Sequence, residues 1–237
     1  MFRMSSTRAG VASGGAGAGA GAGSGLGALV VALGLVVGVA GCATEKEPPV
    51  YPSVQWQGAA PAGALEEDPW VQAVRAELEA EAVARNRNDF SIPELADTAT
   101  EGYVDRASAS AIQMISNHDH TDLYPGPRPF LPAEVETDPW DTGDDVAAVR
   151  GCVAGEWSTE SGRPEGDLEA FGIEYRMERD HDGVIRIDSS GTYPDLDCDA
   201  LGELPVALFD PVPEPSGITE ARDVVRPDGT TSGGAKR

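Results

Sequence analysis

The sequence predicts an α+β domain, because helical periodicity is confined to one part of the chain and strand-like alternation follows it. Amphipathic helical patterns lie between residues 68 and 117, and residues 124–188 carry short alternating runs, the last two of them joined by a hairpin turn. Helices followed by antiparallel strands are typical of helices laid over one face of a sheet. We therefore expect N-terminal helices packed on a bent antiparallel sheet.

The first predicted helix has a clear start. Asp68 is a good N-cap and Pro69 suits the first helical position, so a helix of about 18 residues follows and ends near residues 86–88. One face repeats apolar side chains at helical spacing, namely Val71, Val74, Leu78 and Ala82. The other face is predicted to be polar and carries Arg75, Glu77, Glu79, Glu81 and Arg85.

Two capping-box patterns predict the next helices. Ser91 with Glu94 predicts a short helical turn, and Thr98 with Glu101 predicts a long helix that ends near Asn117. The long helix has a stripe that is most simply a core face, made of Val104, Ala107, Ala111, Met114 and Ile115.

The strands are predicted from alternation. A central strand is expected within residues 146–157, and residues 173–178 form a strand with one wet face. The turn at 180–183 joins this strand to residues 184–188, which makes a hairpin. Residues 130–136 form a further candidate strand, which its prolines confine to a sheet edge.

The N-terminus has the order of a secretory signal, with arginines first and an apolar run at residues 26–41 directly before Cys42. The end of the run, Val39-Ala40-Gly41-Cys42, resembles the lipobox of bacterial lipoproteins. The resemblance implies that residues 1–41 are removed and that Cys42 carries acyl chains, palmitate among them, which hold the protein on the extracytoplasmic face of the cell membrane. The alternatives are an uncleaved membrane anchor and an ordinary signal peptide with a plain thiol at Cys42.

Composition divides the rest of the chain. Residues 42–67 are rich in proline and small residues and predict a lipidated N-terminus with a flexible tether. The ordered domain is expected at residues 68–200, and residues 201–237 predict a Pro-rich, extended to disordered tail. The formal net charge of −23 disfavours nucleic acid as a partner, because phosphates would be repelled.

Cysteine and histidine positions supply the remaining site candidates. With Cys42 lipidated, Cys152 and Cys198 form an even pair in an oxidising compartment and are predicted to be bridged, the alternative being two buried thiols. His118 and His120 are weak metal candidates, because two histidines without a third or fourth ligand rarely make a site. No nucleophile-elbow or phosphate-binding motif occurs, so we predict no catalytic residue and no cofactor.

The element order resembles the NTF2-like (cystatin-like, cone-shaped) domain of small actinobacterial lipoproteins. The resemblance lies in the opening helix at 68–88, the Asp-Phe-Ser-Ile-Pro-Glu-Leu segment at 89–95, the strand sequence at 149–153 and the hairpin at 175–187. It implies a bent sheet wrapped by helices around a conical pocket. The chain departs from that pattern at Gly151 and Ala154, where related lipoproteins carry Asp, and at Ile185, where they favour Trp.

The resemblance and the missing motifs predict a non-catalytic, membrane-anchored protein that binds a small apolar ligand or an envelope partner. An alternative is a pocket enzyme of ketosteroid-isomerase or polyketide-cyclase type. That alternative requires a histidine or carboxylate in the pocket. A second alternative is the solute-binding lipoprotein of a transporter, which a chain of this length disfavours because such receptors have two lobes.

Overall fold

A computed structural model describes residues 50–117, 123–141, 145–159 and 166–236, and it confirms the α+β class. The helices are α1 (Pro69–Arg87), α2 (Pro93–Thr98), α3 (Glu101–Ser116) and α4 (Cys198–Leu201). The strands are β1 (Ser53–Trp56), β2 (Phe130–Thr137), β3 (Val146–Ala154), β4 (Ala170–Arg179), β5 (Ile185–Thr192) and β6 (Ala207–Asp210). A short 3-10 helix, Ala221–Asp223, follows β6.

The main sheet has the order β2-β3-β4-β5, and all its strands are antiparallel. The predicted hairpin is therefore confirmed, and so is the edge position of the proline-containing strand β2. The register shifts between Pro132 and Glu134 in β2 and between Arg176 and Met177 in β4. Such bulges bend strands, which accounts for the bent sheet.

The helices pack into two apolar clusters, and one of these covers a face of the main sheet. The first joins the predicted apolar face of α1 to the inward side chains of the sheet and includes Trp70, Val71, Val74, Leu78, Phe130, Val149, Tyr175 and Ile187. The second lies beneath α2 and α3 and includes Ala82, Phe90, Leu95, Val104, Ala111, Ile115, Phe209 and Val224. The core faces predicted for α1 and α3 are therefore confirmed.

The start of α1 is as predicted, whereas both capping boxes are wrong. Asp68 accepts a hydrogen bond from the Trp70 amide at 2.8 Å. In α2 no side chain caps the first turn. The N-cap of α3 is Thr100, which accepts from the amide of Tyr103 at 3.3 Å, because Thr98 still belongs to α2. The helices themselves lie where expected, and α3 ends at Asn117 as predicted.

The predicted tether and tail are wrong over much of their length, since residues from both form structure. Strand β1 from the predicted tether pairs with β6 from the predicted tail, with Ser53 opposite Asp210. The tail also buries Val224 and Val225, which are 0% and 1% exposed. The ordered unit therefore exceeds residues 68–200. The prolines break regular structure, but a few apolar side chains between them suffice to bind the tail to the core.

A disulfide joins Cys152 in β3 to Cys198 at the start of α4, the pair predicted from the sequence. The neighbouring Gly151 has no room for a side chain, because a Cβ there would lie 2.4 Å from the Leu131 carbonyl oxygen. A side chain as large as aspartate would therefore not fit at this position of the sheet. In the parts of residues 50–236 that are described, every helix is too short or too polar to traverse a bilayer.

Candidate functional site

A cavity of about 800 Å³ lies between α1, α3 and the covered face of the sheet. Helix α1 contributes Leu78, Glu81, Ala82 and Arg85, and α3 contributes Tyr103, Arg106, Ala107 and Ser110. The sheet and the loops beside it contribute Tyr124, Arg128, Gly155, Glu156, Trp157, Ser158, Thr159, Ile173, Tyr175, Ser189 and Ser190. The wall is thus apolar in part and also carries two glutamates and three arginines.

Helix α1 places three charged residues in one row, because residues four apart share a helix face. Glu77, Glu81 and Arg85 form this row, which was predicted to lie on the polar face, away from the core. That prediction is wrong for Glu77, which is 0% exposed, and for Glu81 and Arg85, whose side chains are only 18% and 17% exposed. The row lies against the cavity and the packed α3 instead of solvent.

Glu81 is the best-connected acid of the site. Its Oε1 accepts from Arg85 Nε at 2.6 Å, and its Oε2 accepts from the Tyr103 hydroxyl at 3.3 Å. Burial acts to raise the pKa of Glu81, but the charge and hydrogen bond of Arg85 outweigh it and hold that pKa below its ordinary value. Glu81 is therefore an ionised carboxylate in the cavity wall.

Glu77 lies one turn before Glu81, and its pKa is shifted in the opposite direction. Neither of its buried carboxyl oxygens meets a hydrogen-bond donor. Burial first, and then the charge of Glu81, raise the pKa of Glu77 well above its ordinary value. A protonated Glu77 becomes a donor, and Glu81 is the neighbouring acceptor. The charge of Glu81 therefore favours the protonated form of Glu77.

Two tyrosines complete this polar group. Burial raises the pKa of Tyr103 well above its ordinary value, and the charges of Glu77 and Glu81 add to the effect. Burial likewise raises the pKa of Tyr175, which packs edge-on against Phe130 with ring centroids 5.6 Å apart. Both phenols are neutral. The Tyr103 hydroxyl already donates to Glu81, so it can only accept a hydrogen bond from a molecule in the cavity, whereas the Tyr175 hydroxyl can donate one.

Arg128 lies on the loop that precedes β2 and is held by the backbone. Its Nε donates to the Ala154 carbonyl at 2.7 Å, and its Nη2 donates to the Gly155 carbonyl at 2.9 Å. Its guanidinium also lies 5.4 Å from the centre of the Phe171 ring. The Trp157 indole donates to the Gly126 carbonyl at 2.8 Å, which ties together the two loops at this end of the cavity.

The residues singled out from the sequence do not meet in this cavity. His118 and His120, like Cys42, lie outside the described residues. Cys152 and Cys198 form the disulfide and are not in the cavity wall. Among the side chains that the structure describes, no group of three or more His, Cys, Asp and Glu residues is arranged to hold a metal ion.

Sequence reasoning missed Glu77, Glu81, Tyr103 and Arg128. A signal for the two acids was present, because Glu77 follows Val74 by three residues and Glu81 follows Leu78 by three. Those are core-facing spacings on a helix, so each acid lies beside the apolar stripe. Arg128 had no such signal, since it lies in a loop whose path depends on the tertiary fold.

Comparisons with known proteins identify no family. No protein-family model and no curated protein matches the chain. One solved structure with similarity is the intermembrane-space region of the chloroplast protein ARC6, at 9% identity and a TM-score of 0.27. The match covers 57% of this chain and 100% of the ARC6 region. A TM-score this low assigns neither a fold family nor a function.

Proposed function

We propose that this protein is a lipid-anchored extracytoplasmic protein that binds a small ligand in its cavity without chemical turnover. The cavity supports this proposal most directly, since about 800 Å³ is within the usual range of small-molecule sites, roughly 300–1,000 Å³. Apolar residues such as Leu78 and Ile173 line it beside the polar group of Glu81 and Tyr103. A ligand with an apolar body and at least one polar group suits this wall.

The anchoring part of the proposal rests on the leader and Cys42. Ten residues separate Cys42 from Ser53, where β1 begins. Such a segment spans at most about 35 Å when fully extended. An acylated Cys42 would therefore keep the folded domain close to the membrane surface, where it meets lipids and envelope proteins.

Blocking the cavity tests ligand binding. Ser110 is exposed on α3 and lines the cavity, so Ser110→Trp places an indole in it at little cost to the core. Ala109→Trp is the matched control, because Ala109 is exposed on the same helix and is not part of the wall. We expect the neutral fluorophore N-phenyl-1-naphthylamine to bind the parent and the control, and to bind Ser110→Trp at least tenfold more weakly.

Equal binding by all three proteins would place the probe elsewhere and contradict the proposal. If the parent also fails to bind the fluorophore, the small-molecule proposal is contradicted, and a partner protein becomes the preferred ligand.

The anchor is tested separately by mass spectrometry of the protein purified from its own membranes. An N-terminal Cys42 with acyl chains is expected, and a chain that starts at Met1 with a free Cys42 thiol would contradict the anchor.

An acid–base enzyme is the second candidate, and the position of Glu81 favours it. A carboxylate from α1 lies in the cavity wall within 3.3 Å of a tyrosine hydroxyl, which is a combination that proton-transfer enzymes use. Binding is preferred because Arg85 holds the pKa of Glu81 low, and a weakly basic carboxylate removes protons poorly.

A general probe of proton abstraction separates the two candidates. The compound 5-nitrobenzisoxazole opens when a base removes its carbon-bound proton, so its rate reports a reactive carboxylate. Under the binding proposal we expect the parent and Glu81→Gln to show the same rate. A rate in the parent that falls at least tenfold in Glu81→Gln would favour the enzyme.

A further inference from the structure

Arg128 is a partly buried side chain in the cavity wall, and its partners among the described residues are all uncharged. Its hydrogen bonds go to the carbonyls of Ala154 and Gly155, and its ring contact is with Phe171. Ion pairs elsewhere in the molecule show the usual arrangement, as in Arg85 with Glu81. A partly buried charge that has no counter-ion among the described residues is left to be neutralised by solvent or by a bound anion.

We infer that the ligand of this cavity carries an anionic group, a carboxylate or a phosphate, on a partly apolar body, and that Arg128 binds this group. The inference rests on the proposed function, because it assumes that the cavity takes up a small molecule. It goes further by giving the chemical class of the ligand and the residue that selects it.

The geometry of Arg128 suits this task. A guanidinium has five N–H donors, and the two carbonyl bonds use Nε and Nη2. Donors on Nη1 and the second hydrogen of Nη2 remain for a ligand. Because the carbonyls already hold the side chain, little conformational entropy is lost when an anion binds to it.

The charge balance of the wall also favours an anion. Among the described residues of the wall, Arg85, Arg106 and Arg128 face Glu81 and Glu156, so this part of the wall is positive by one formal charge. Glu77, behind Glu81, adds no charge while it holds its proton. The chain as a whole has a formal charge of −23, which repels anions from most of its surface. The arginines of the wall therefore supply the local positive charge that an anion needs in so acidic a protein.

A matched pair of fluorophores tests the inference. The compound 1-anilinonaphthalene-8-sulfonate shares its aromatic body with N-phenyl-1-naphthylamine and adds one sulfonate. We expect the sulfonate to bind the parent protein more tightly than the neutral probe. In Arg128→Gln its affinity should fall about tenfold, the usual loss for one charged hydrogen bond, while the neutral probe changes little.

Two controls separate this effect from a change in fold. Arg176→Gln removes the same charge from the opposite, exposed side of the sheet, where Arg176 stacks on Trp140, and should leave both affinities unchanged. Arg128→Lys keeps the charge and should retain most of the sulfonate affinity. Raising the ionic strength should weaken sulfonate binding to the parent and leave the neutral probe unaffected. This last measurement needs no variant. It tests whether the cavity prefers an anionic ligand even if Arg128→Gln fails to fold.

Competition distinguishes the two anionic groups. Octanoate, octyl phosphate and neutral octanol have the same alkyl chain, and displacement of the sulfonate probe by one acid and not by octanol would identify the preferred group. Equal, salt-independent binding of both fluorophores would overturn the inference but leave the proposed function intact. If neither fluorophore binds and Ser110→Trp changes nothing, the proposed function fails as well.

Discussion

Glu77 and Glu81 lie one turn apart on α1, and their pKa values are shifted in opposite directions. Glu77 is fully buried and its pKa is raised, whereas Glu81 is bonded to Arg85 and Tyr103 and its pKa is lowered. The pair positions Glu81 in the wall and makes the charge of the site depend on pH. It also links the stability of the fold to the chemistry of the cavity, because both depend on the proton of Glu77.

The stability of the protein should therefore fall as Glu77 loses its proton. The pKa of Glu77 is higher in the folded state than its ordinary value of 4.5, so the folded protein keeps a proton that the unfolded chain releases. This contribution to stability is complete below the ordinary pKa and is lost as pH rises through the folded one. Glu81 has the opposite linkage, since its pKa is lowered.

Glu77→Gln isolates the first effect, because glutamine keeps the shape and a donor but does not titrate. We expect the free energy of unfolding of the variant to gain on the parent as pH rises above about 4.5, by at most about 1.4 kcal/mol per pH unit. Urea denaturation across a pH series measures this difference. Glu178→Gln, on the exposed face of β4, is the control and should follow the parent. A difference in unfolding free energy between Glu77→Gln and the parent that stays constant at every pH would contradict the raised pKa of Glu77.

The disulfide should supply a substantial part of the stability. It closes a separation of 46 residues, and removing it by Cys198→Ala should lower the free energy of unfolding by about 3–4 kcal/mol in the chain-entropy model. The experiment is best made in a Cys42→Ser background, so that the pair supplies the only thiols. In that background the unreduced parent should resist maleimide, and Cys152→Ala should expose Cys198 to it. Full labelling of the unreduced parent would contradict the bond.

The C-terminal segment should behave as part of the core. Val224 is 0% exposed and packs in the cluster beneath α2 and α3, whereas Val212 in the same segment is 79% exposed. Val224→Ala removes two buried methyl groups and should cost about 2 kcal/mol of unfolding free energy. Val212→Ala should cost almost nothing, and equal effects in thermal melts would show that the segment does not dock.

A methyl group at Gly151 should strain the central strand. The added Cβ would lie 2.4 Å from both the Leu131 carbonyl oxygen and the Phe130 ring, so Gly151→Ala should destabilise the fold by about 1–3 kcal/mol. Gly191 in β5 has open space around it, and Gly191→Ala should stay within about 0.5 kcal/mol of the parent. Denaturation of the two variants side by side checks the contrast, which would fail if both were neutral.

The prediction of the helices succeeded because their signals are local. Asp68 and Pro69 define the start of α1 through adjacent backbone groups, and Asn117 ends α3 in the same way. The capping boxes at Ser91 and Thr98 failed because such patterns recur wherever short polar residues meet an acid. Which of several candidates caps a helix depends on where the preceding chain can turn.

The cavity could not be predicted in the same way, because its members come from distant parts of the chain. Glu81 and Tyr103 meet only when α3 packs beside α1, and Arg128 joins them only through the path of the loop before β2. The prediction of an extended to disordered tail was wrong for a related reason. Its prolines are visible in the sequence, but the surface that buries Val224 is assembled by other elements.

The sequence by itself determined the α+β order, the core faces of α1 and α3, the hairpin and the pairing of Cys152 with Cys198. These features follow from short-range periodicity, from turn chemistry and from a simple count of cysteines. Only the tertiary structure decided that Glu77 is buried and that the described partners of Arg128 are backbone carbonyls and an aromatic ring. Burial and charge compensation depend on which groups surround a side chain, and that environment exists only after distant segments have packed together.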